Sequence, residues 1–521
     1  MTGPADTSLL KASPSETDSE PLDLETIKFD PRYALLTPPS LMIRRRLLPL
    51  LELDGSLHVA VERALDPNSA RLLERFIKLP VVPVLATGES IRALQTRLFG
   101  NLREAMSQDR PVIDTVTARS ESDPDDADEA IALCDQLLKT GLIRGASDIH
   151  FNVARDDSVQ VRMRIDGSLV EDPSLPAYLR SSVFNRIKVL GGLDISEKRA
   201  SQDGSFTFEP GGVLPSTEVR VATIPARHGE RITLRLLIRD EGILTLNKLG
   251  FSDDDLERFT RAVTLPYGMV LMTGPTGSGK STTLYAAIKH LLGKRTANVM
   301  TVEDPIEYEI DGVTQTEVDA RREKVSFASS LRSILRHDPD VVMLGEIRDR
   351  ETAELAVRAA LTGHLVLSTL HTNTAVGAVT RLLDLGVDRF LIATVLRLVA
   401  AQRLVRVLCP HCRTESSLTE TEAQLLGSSA LAGERCFRPN RCLRCGGKGF
   451  IGRSGLFEIL PIRSEETRLI GSSSNDESIE YRLVERRSEV GIPSLLESGL
   501  AAVRTGMTTV DEVITATLDT V

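Results

Sequence analysis

The sequence predicts a multidomain α/β protein whose C-terminal half is built on a mostly parallel sheet covered by helices on both faces. Three observations carry that expectation. The chain has 521 residues, more than a single hydrophobic core organises. From Gly268 onward, short apolar runs alternate with helix-length amphipathic stretches, the pattern of strand–helix–strand units. The first of those runs leads directly into a glycine-rich loop, GPTGSGKST, which needs a strand before it and a helix after it.

Taken in order, residues 1–30 are rich in Ser, Pro, Asp and Glu and read as a disordered tail. Residues 31–116 combine the apolar runs Leu47 to Leu51, Leu57 to Val61 and Val81 to Leu85 with helix-like stretches from Asn68 to Ile77 and from Ser90 to Phe99. They form a small α/β domain without a catalytic motif. TARSESDPDDADE, 117–129, is an acidic linker. A second domain, 130–243, opens with an amphipathic helix from Ala130 to Gly141, with Ile131, Cys134, Leu137 and Leu138 on one face. Its strands include Ser158 to Ile165 and Glu218 to Ile224. The core follows at 244–405, with strands Gly268 to Thr273, Val299 to Val302, Val341 to Leu344 and Leu365 to Leu370. Its helices run from Ser281 to Leu292, Ser326 to Arg336 and Glu351 to Leu361. A cysteine-rich module at 406–452 precedes a helical segment at 453–521.

Composition excludes several classes. Against 63 Lys and Arg stand 73 Asp and Glu, for a net charge of −10, and there is no Trp. That balance argues against nucleic acid as the main partner. No run reaches the roughly 18 apolar residues of a membrane span, and the acidic, polar N-terminus lacks the form of a signal peptide. Six cysteines in so long a chain are no disulfide framework, so a reducing cytosol is the expected compartment.

In GPTGSGKST each residue type has a task. Gly274, Gly277 and Gly279, with Pro275, Thr276 and Ser278, form a loop whose backbone N–H groups can turn toward phosphates. The helix opening at Ser281 and Thr282 points its positive end at them. Lys280 neutralises β/γ charge, and the Ser281 hydroxyl can ligate Mg²⁺. An acid at the end of a nearby buried strand completes the set; Glu346, after Val341 to Leu344, fits. EDPIE offers Glu303, Asp304 and Glu307 to polarise water, and composition does not say which is the base.

Cys409-Pro-His-Cys412 and Cys442-Leu-Arg-Cys445 are two CxxC pairs, the ligand set of a tetrahedral Zn²⁺. The gap of 29 residues between them exceeds that of a common zinc ribbon and needs filling, with Leu418 to Leu426 a candidate helix. With four protein ligands there is no open position, so the zinc is structural. His411 and Cys436 lie close in sequence as substitute ligands, a less favoured arrangement, while Cys134 belongs to a core.

GPTGSGKSTT, TVEDPIEYEIDG, LRSILRHDPDVVMLGEIRD and TGHLVLSTLHTNTAVGAVTRLLDLGV together resemble the secretion ATPases of type II secretion and type IV pili. The resemblance runs from about Leu137 to the C-terminus. LHTNTAVGAVTRL and the cysteine region are most similar to the assembly ATPases of type II secretion. It implies a RecA-like core after a PAS-like domain, with Glu307 as catalytic base in an Asp box. Glu346 lies near the metal in a variant Walker B box, and His364 and His371 are γ-phosphate sensors in a His box. Arg220 and Arg235 of the second domain, and Arg332, Arg336 and Arg348 of the core, match basic residues that line the nucleotide or a subunit interface.

The same resemblance implies ATP, Mg²⁺ and Zn²⁺ as cofactors and a homohexamer that converts hydrolysis into pseudopilus assembly. Attachment to the inner membrane would run through partners: a single-span component gripped by residues 31–114, and a multi-span platform protein. A type IV pilus extension ATPase shares every motif and is the nearest rival. A helicase or DNA-packaging motor is the rival from another class, disfavoured by the acidic balance and scarce aromatics. Intact Lys280, Glu307 and Glu346 argue against a non-hydrolysing zinc scaffold.

Overall fold

Short β-branched runs and side-chain-capped helices alternate along the chain, and in the computed structural model they assemble into two units, Met1–Leu236 and Leu237–Val521. The described residues are 21–24, 27–100, 102–106, 126–175, 177–210, 214–237, 245–318, 326–472 and 476–517.

In the first unit, strands β1 (Leu47–Leu53), β2 (Ser56–Val61) and β3 (Val81–Leu85) form a three-stranded sheet. The β1–β2 pair is antiparallel, and β2–β3 is parallel across the helix Pro67–Ile77. Asp66 caps that helix, accepting N–H groups from Asn68 and Ser69. The tail expected over 1–30 is corrected at its end: Leu22 bridges Ala86 beside β3, and Leu24, Ile27 and Phe29 are buried. These apolar residues come after the Ser- and Glu-rich stretch that motivated the tail; residues 1–20 lie outside the described set.

The second sheet has the order β6-β5-β4-β9-β8-β7. Its strands are β4 (Ala146–Val153), β5 (Val159–Ile165), β6 (Ser168–Leu175), β7 (Gln202–Phe208), β8 (Thr217–Ala226) and β9 (Gly229–Leu237). Helix Asp126–Arg144 is longer than expected and takes in the last four residues of the acidic segment, whose remainder lies outside the described residues. Its buried stripe is Ala130, Leu133, Cys134, Leu137 and Leu138, whereas Ile131 is exposed. The 3.6-residue period admits either Ala130 or its neighbour Ile131, and packing took the smaller.

The second unit holds a seven-stranded sheet of order β12-β11-β13-β14-β10-β15-β18. Its strands are β10 (Gly268–Thr273), β11 (Val299–Glu303), β12 (Val313–Glu317), β13 (Val341–Leu344), β14 (Leu365–Leu370), β15 (Leu396–Leu408) and β18 (Phe450–Pro461). All pairings are parallel except β15–β18. Side chains of β10 alternate between two cores. Met269 and Leu271 face the helices Phe327–Ile334, Arg350–Leu361 and Ala375–Asp384. Val270 and Met272 face Asp253–Val263 and Lys280–Leu292. Burial on both faces is why these strands read as continuous apolar runs.

The cysteine-rich segment is an excursion between β15 and β18, containing β16 (Thr414–Ser417), β17 (Arg435–Arg438) and the helix Glu420–Leu425. The strands β15 and β18 run across the expected boundaries at 405/406 and 452/453, so the C-terminal segment starts with a strand before its helices.

Candidate active site

β10 is buried along its whole length and delivers the chain to Gly274. Thr273 Oγ1 anchors the strand end, donating to the Thr372 carbonyl at 2.9 Å and accepting the Thr372 N–H at 2.9 Å. Gly274, Gly277 and Gly279 take φ of 143°, 79° and 87°, values that side chains rarely tolerate. At Gly274 space forbids a side chain as well, because a Cβ would lie 2.5 Å from the Gln402 carbonyl oxygen on β15.

The helix Lys280–Leu292 begins at the loop, so its unpaired N–H groups face the same space. Lys280 Nζ donates to the Gly274 and Pro275 carbonyls at 2.8 and 3.0 Å. Burial, reinforced by the nearby Arg403 cation, pushes its pKa down to about 8, against the opposing pull of Glu346 and Glu307. The Ser278 hydroxyl is buried in the loop without a protein partner.

These groups share a cavity of about 430 Å³, lined also by Thr276, Ser281 and Thr282 and by Glu303, Asp304, Glu307, Glu346, Arg348 and His371. A polyphosphate fits this donor set: a glycine cradle, a helix N-terminus, a buried ammonium and an unpartnered hydroxyl. The Ser281 hydroxyl and the Glu346 carboxylate share the cavity, oxygen donors of the kind Mg²⁺ takes.

The acids separate by environment. Glu303, the last residue of β11, is buried and accepts hydrogen bonds from Tyr285 Oη, from Thr301 Oγ1 at 2.5 Å and from Gln315 Nε2 at 3.0 Å. Asp304 is exposed, 3.9 Å from Arg348 Nη1. Glu307 is also exposed and lines the cavity, while its backbone N–H donates to Tyr285 Oη at 3.2 Å. Glu346 leaves β13 into the pocket, pairs with Arg348, and lies 3.0 Å from His371 Nε2.

The histidines part company. His371 follows β14 at the end of the sheet that carries the phosphate loop, whereas His364 precedes β14. A strand rise of about 3.3 Å per residue puts them roughly 20 Å apart. His364 Nδ1 lies 2.9 Å from the Ala359 carbonyl and 3.2 Å from Thr362 Oγ1. Its expected place beside the γ-phosphate is therefore corrected: it closes the turn after the helix Arg350–Leu361. The His box spans one strand, and the ends of a strand cannot meet. Arg332 pairs with Glu351, and Arg336 donates to the Arg332 carbonyl at 3.0 Å. Of the three core arginines only Arg348 lines this cavity. Arg220 and Arg235 belong to the first unit, on β8 and β9. The Arg220 Nε is 4.0 Å from Glu218, and Arg235 Nε donates to Asp148 at 3.1 Å.

Sequence reasoning missed Tyr285, Leu404 and Arg453, which line the cavity from the phosphate-loop helix, β15 and β18. It also missed β12 altogether. The spacing of Tyr285 from Ser281, one helical turn, was a signal for the first; nothing local marks the others.

Cys409, Cys412, Cys442 and Cys445 bring their sulfurs within 4.8 Å of one another. Cys409–Cys442, Cys412–Cys445 and Cys442–Cys445 are 3.7, 3.9 and 3.7 Å apart. Those separations far exceed a disulfide and match the edge of a tetrahedron with about 2.3 Å metal–sulfur bonds. Gly449 N–H donates to Cys445 Sγ at 3.2 Å, orienting a ligand. His411 faces Arg444 instead, and Cys436 is buried in β17; neither belongs to the cluster.

Comparison with known proteins places this geometry. The model of the Type II/IV secretion system protein family matches residues 123–515, and the MshEN domain matches 17–105. The type II secretion system ATPase E of Vibrio cholerae is 42% identical over 80% of this chain and 80% of its own. The type IV pilus assembly ATPase PilB of Thermus thermophilus is 37% identical over 94% of this chain and 55% of its own. Among solved structures, the pilus retraction motor PilT with bound ADP superposes with a TM-score of 0.50 at 26% identity, over 73% of this chain and 96% of that one. With a family model covering most of its length and relatives above 40% identity, this chain belongs to the Type II/IV secretion system protein family.

Proposed function

We propose that the chain is a Mg-ATP hydrolase that powers pseudopilus assembly in type II secretion. The observation that carries this reading is the intact phosphate-loop cavity, with Lys280, Glu307 and Glu346 on its walls, in a chain 42% identical to a type II secretion ATPase. In the reaction, Lys280 leaves the loop carbonyls for the phosphates, and the loop N–H groups hold the phosphate oxygens. Glu307 takes a proton from water as its oxygen attacks the γ-phosphorus and the bond to the β-phosphate oxygen breaks. Bound at Ser281 and Glu346, Mg²⁺ would neutralise charge on the phosphates. His371 orients Glu346, and Arg348 supplies positive charge beside it.

We read the second unit as RecA-like on its strand order, with the phosphate-loop strand β10 between β14 and β15. The antiparallel sheet of the first unit supports the PAS-like reading. Zn²⁺ on the four cysteines staples the β15–β18 excursion. The working assembly is a homohexamer in the cytoplasm, with Arg220 and Arg235 contributing charge to a nucleotide site. It is held at the inner membrane by a single-span component on the N-terminal domain and by a multi-span platform protein.

A second reading, a type IV pilus extension ATPase, draws on the PilB match, which spans 94% of this chain and so includes the N-terminal domain. ATP turnover per subunit against protein concentration tests the proposal, with each system's platform fragment added in turn and DNA as control. A rate that rises with assembly and with the secretion platform supports the first reading. Stimulation by the pilus platform alone selects the second, and stimulation by DNA alone refutes both.

A further inference from the structure

The loop that carries Glu307 is fastened to the phosphate-loop helix and to the sheet edge by side chains that no step above requires. Tyr285 sits one turn beyond Ser281 on the helix Lys280–Leu292, so the two share a face. Its ring is fully buried and meets Tyr308 edge-on at 5.7 Å. Its hydroxyl donates to Glu303 and accepts the Glu307 N–H at 3.2 Å. From the edge strand β12, Gln315 Nε2 donates to Glu303 at 3.0 Å and to the Tyr308 carbonyl at 2.8 Å, and Gln315 Oε1 accepts the Ile310 N–H at 2.8 Å. Glu317 accepts the Ile306 N–H at 3.1 Å. Backbone groups of residues 306, 307, 308 and 310 are thus all bonded to Tyr285 or β12.

A base works only within hydrogen-bond reach of the proton it takes. Glu307 is exposed on a segment with no helix or strand of its own, where a residue held by nothing else keeps its backbone freedom. The network removes that freedom and refers the loop to the same rigid helix that carries Lys280 and Ser281. We infer that Tyr285 and Gln315 are positioning residues for Glu307, holding its loop against the phosphate-loop helix through the Tyr285 hydroxyl and the Gln315 amide. The inference rests on the reading of Glu307 as the base.

Tyr285→Phe keeps the ring and its packing and deletes only the hydroxyl; Gln315→Leu deletes the amide on a half-exposed edge strand. In the full chain, steady-state hydrolysis and the affinity for a fluorescent ATP analogue are measured for both variants and for Glu307→Gln. The expected result for Tyr285→Phe is a kcat lowered about ten- to a hundredfold with KM and Kd within about twofold of wild type. Gln315→Leu shows the same split with a severalfold smaller loss, and Glu307→Gln stops turnover. Wild-type kcat in folded Tyr285→Phe and Gln315→Leu, or a raised KM at unchanged kcat, overturns the positioning role while leaving the base assignment intact. Undiminished turnover in Glu307→Gln overturns the base assignment and this inference with it. Should Tyr285→Phe fail to fold, Gln315→Leu decides alone, and an unchanged kcat there overturns the proposal.

Discussion

The nucleotide cavity and the four-cysteine cluster both lean on strands β15 and β18, yet they are built in opposite ways. The cluster draws its ligands from two short knuckles, and its sulfurs surround one point at 3.7–3.9 Å. No coordination position is left for a substrate. The cavity collects its walls from the phosphate loop and its helix and from β11, β13, β14, β15 and β18 and stays open, with Glu307 and His371 exposed at it. A closed site stores folding energy, whereas an open one must exchange its ligand. Damage to the first should therefore appear as instability and damage to the second as lost binding or turnover.

The largest test of that contrast is Cys409→Ser. It should release one zinc per chain and forfeit much of the roughly 10 kcal/mol that structural zinc brings to folding. Metal analysis and limited proteolysis within 406–452 read this out, and nucleotide affinity should hardly move. Metal content equal to wild type would remove the tetracysteine site. Lys280→Ala should do the reverse, leaving thermal stability near wild type while weakening ATP binding by about 1.5–3 kcal/mol, a ten- to hundredfold loss, measured by calorimetry.

A smaller effect is expected from pH. In the free protein Lys280 loses its proton near pH 8, whereas bound phosphates favour the charged form. Binding then takes up a proton above pH 8, and Kd should rise by up to about tenfold per pH unit there. A flat Kd from pH 7 to 9 would show that Lys280 stays charged throughout. The smallest effect is Thr419→Ala, which removes the capping box with Glu422 at the helix Glu420–Leu425. It should cost about 1 kcal/mol of module stability and leave turnover untouched.

The same contrast decided what was legible in the sequence. The cysteine pairs and the phosphate loop are local: spacing and residue type alone name their atoms, and β10, β13 and β14 announce themselves as continuous apolar runs. Glu303, Asp304 and Glu307 are equally acidic in a string of letters, and only the hydrogen bonds from Tyr285 and Gln315 set the buried Glu303 apart from the exposed Glu307 in the same cavity wall. His364 and His371 look paired until the length of β14 separates them. Val313–Glu317 carries no apolar alternation, because an edge strand buries little, and so β12 was invisible. Arg453 reaches the cavity only because β18 returns antiparallel to β15 after the cysteine excursion, a pairing no local pattern encodes.

On the proposed reading, this cavity hydrolyses ATP with Glu307 as its base. Titrating Mg-ATP into wild type and Glu307→Gln, with phosphate release followed in the same samples, tests it most directly. Matched affinities are expected, with turnover reduced by about 10²–10⁴-fold in the variant. Equal turnover would contradict the assignment of the base, and loss of binding in Glu307→Gln would show that this carboxylate holds the nucleotide rather than activating water.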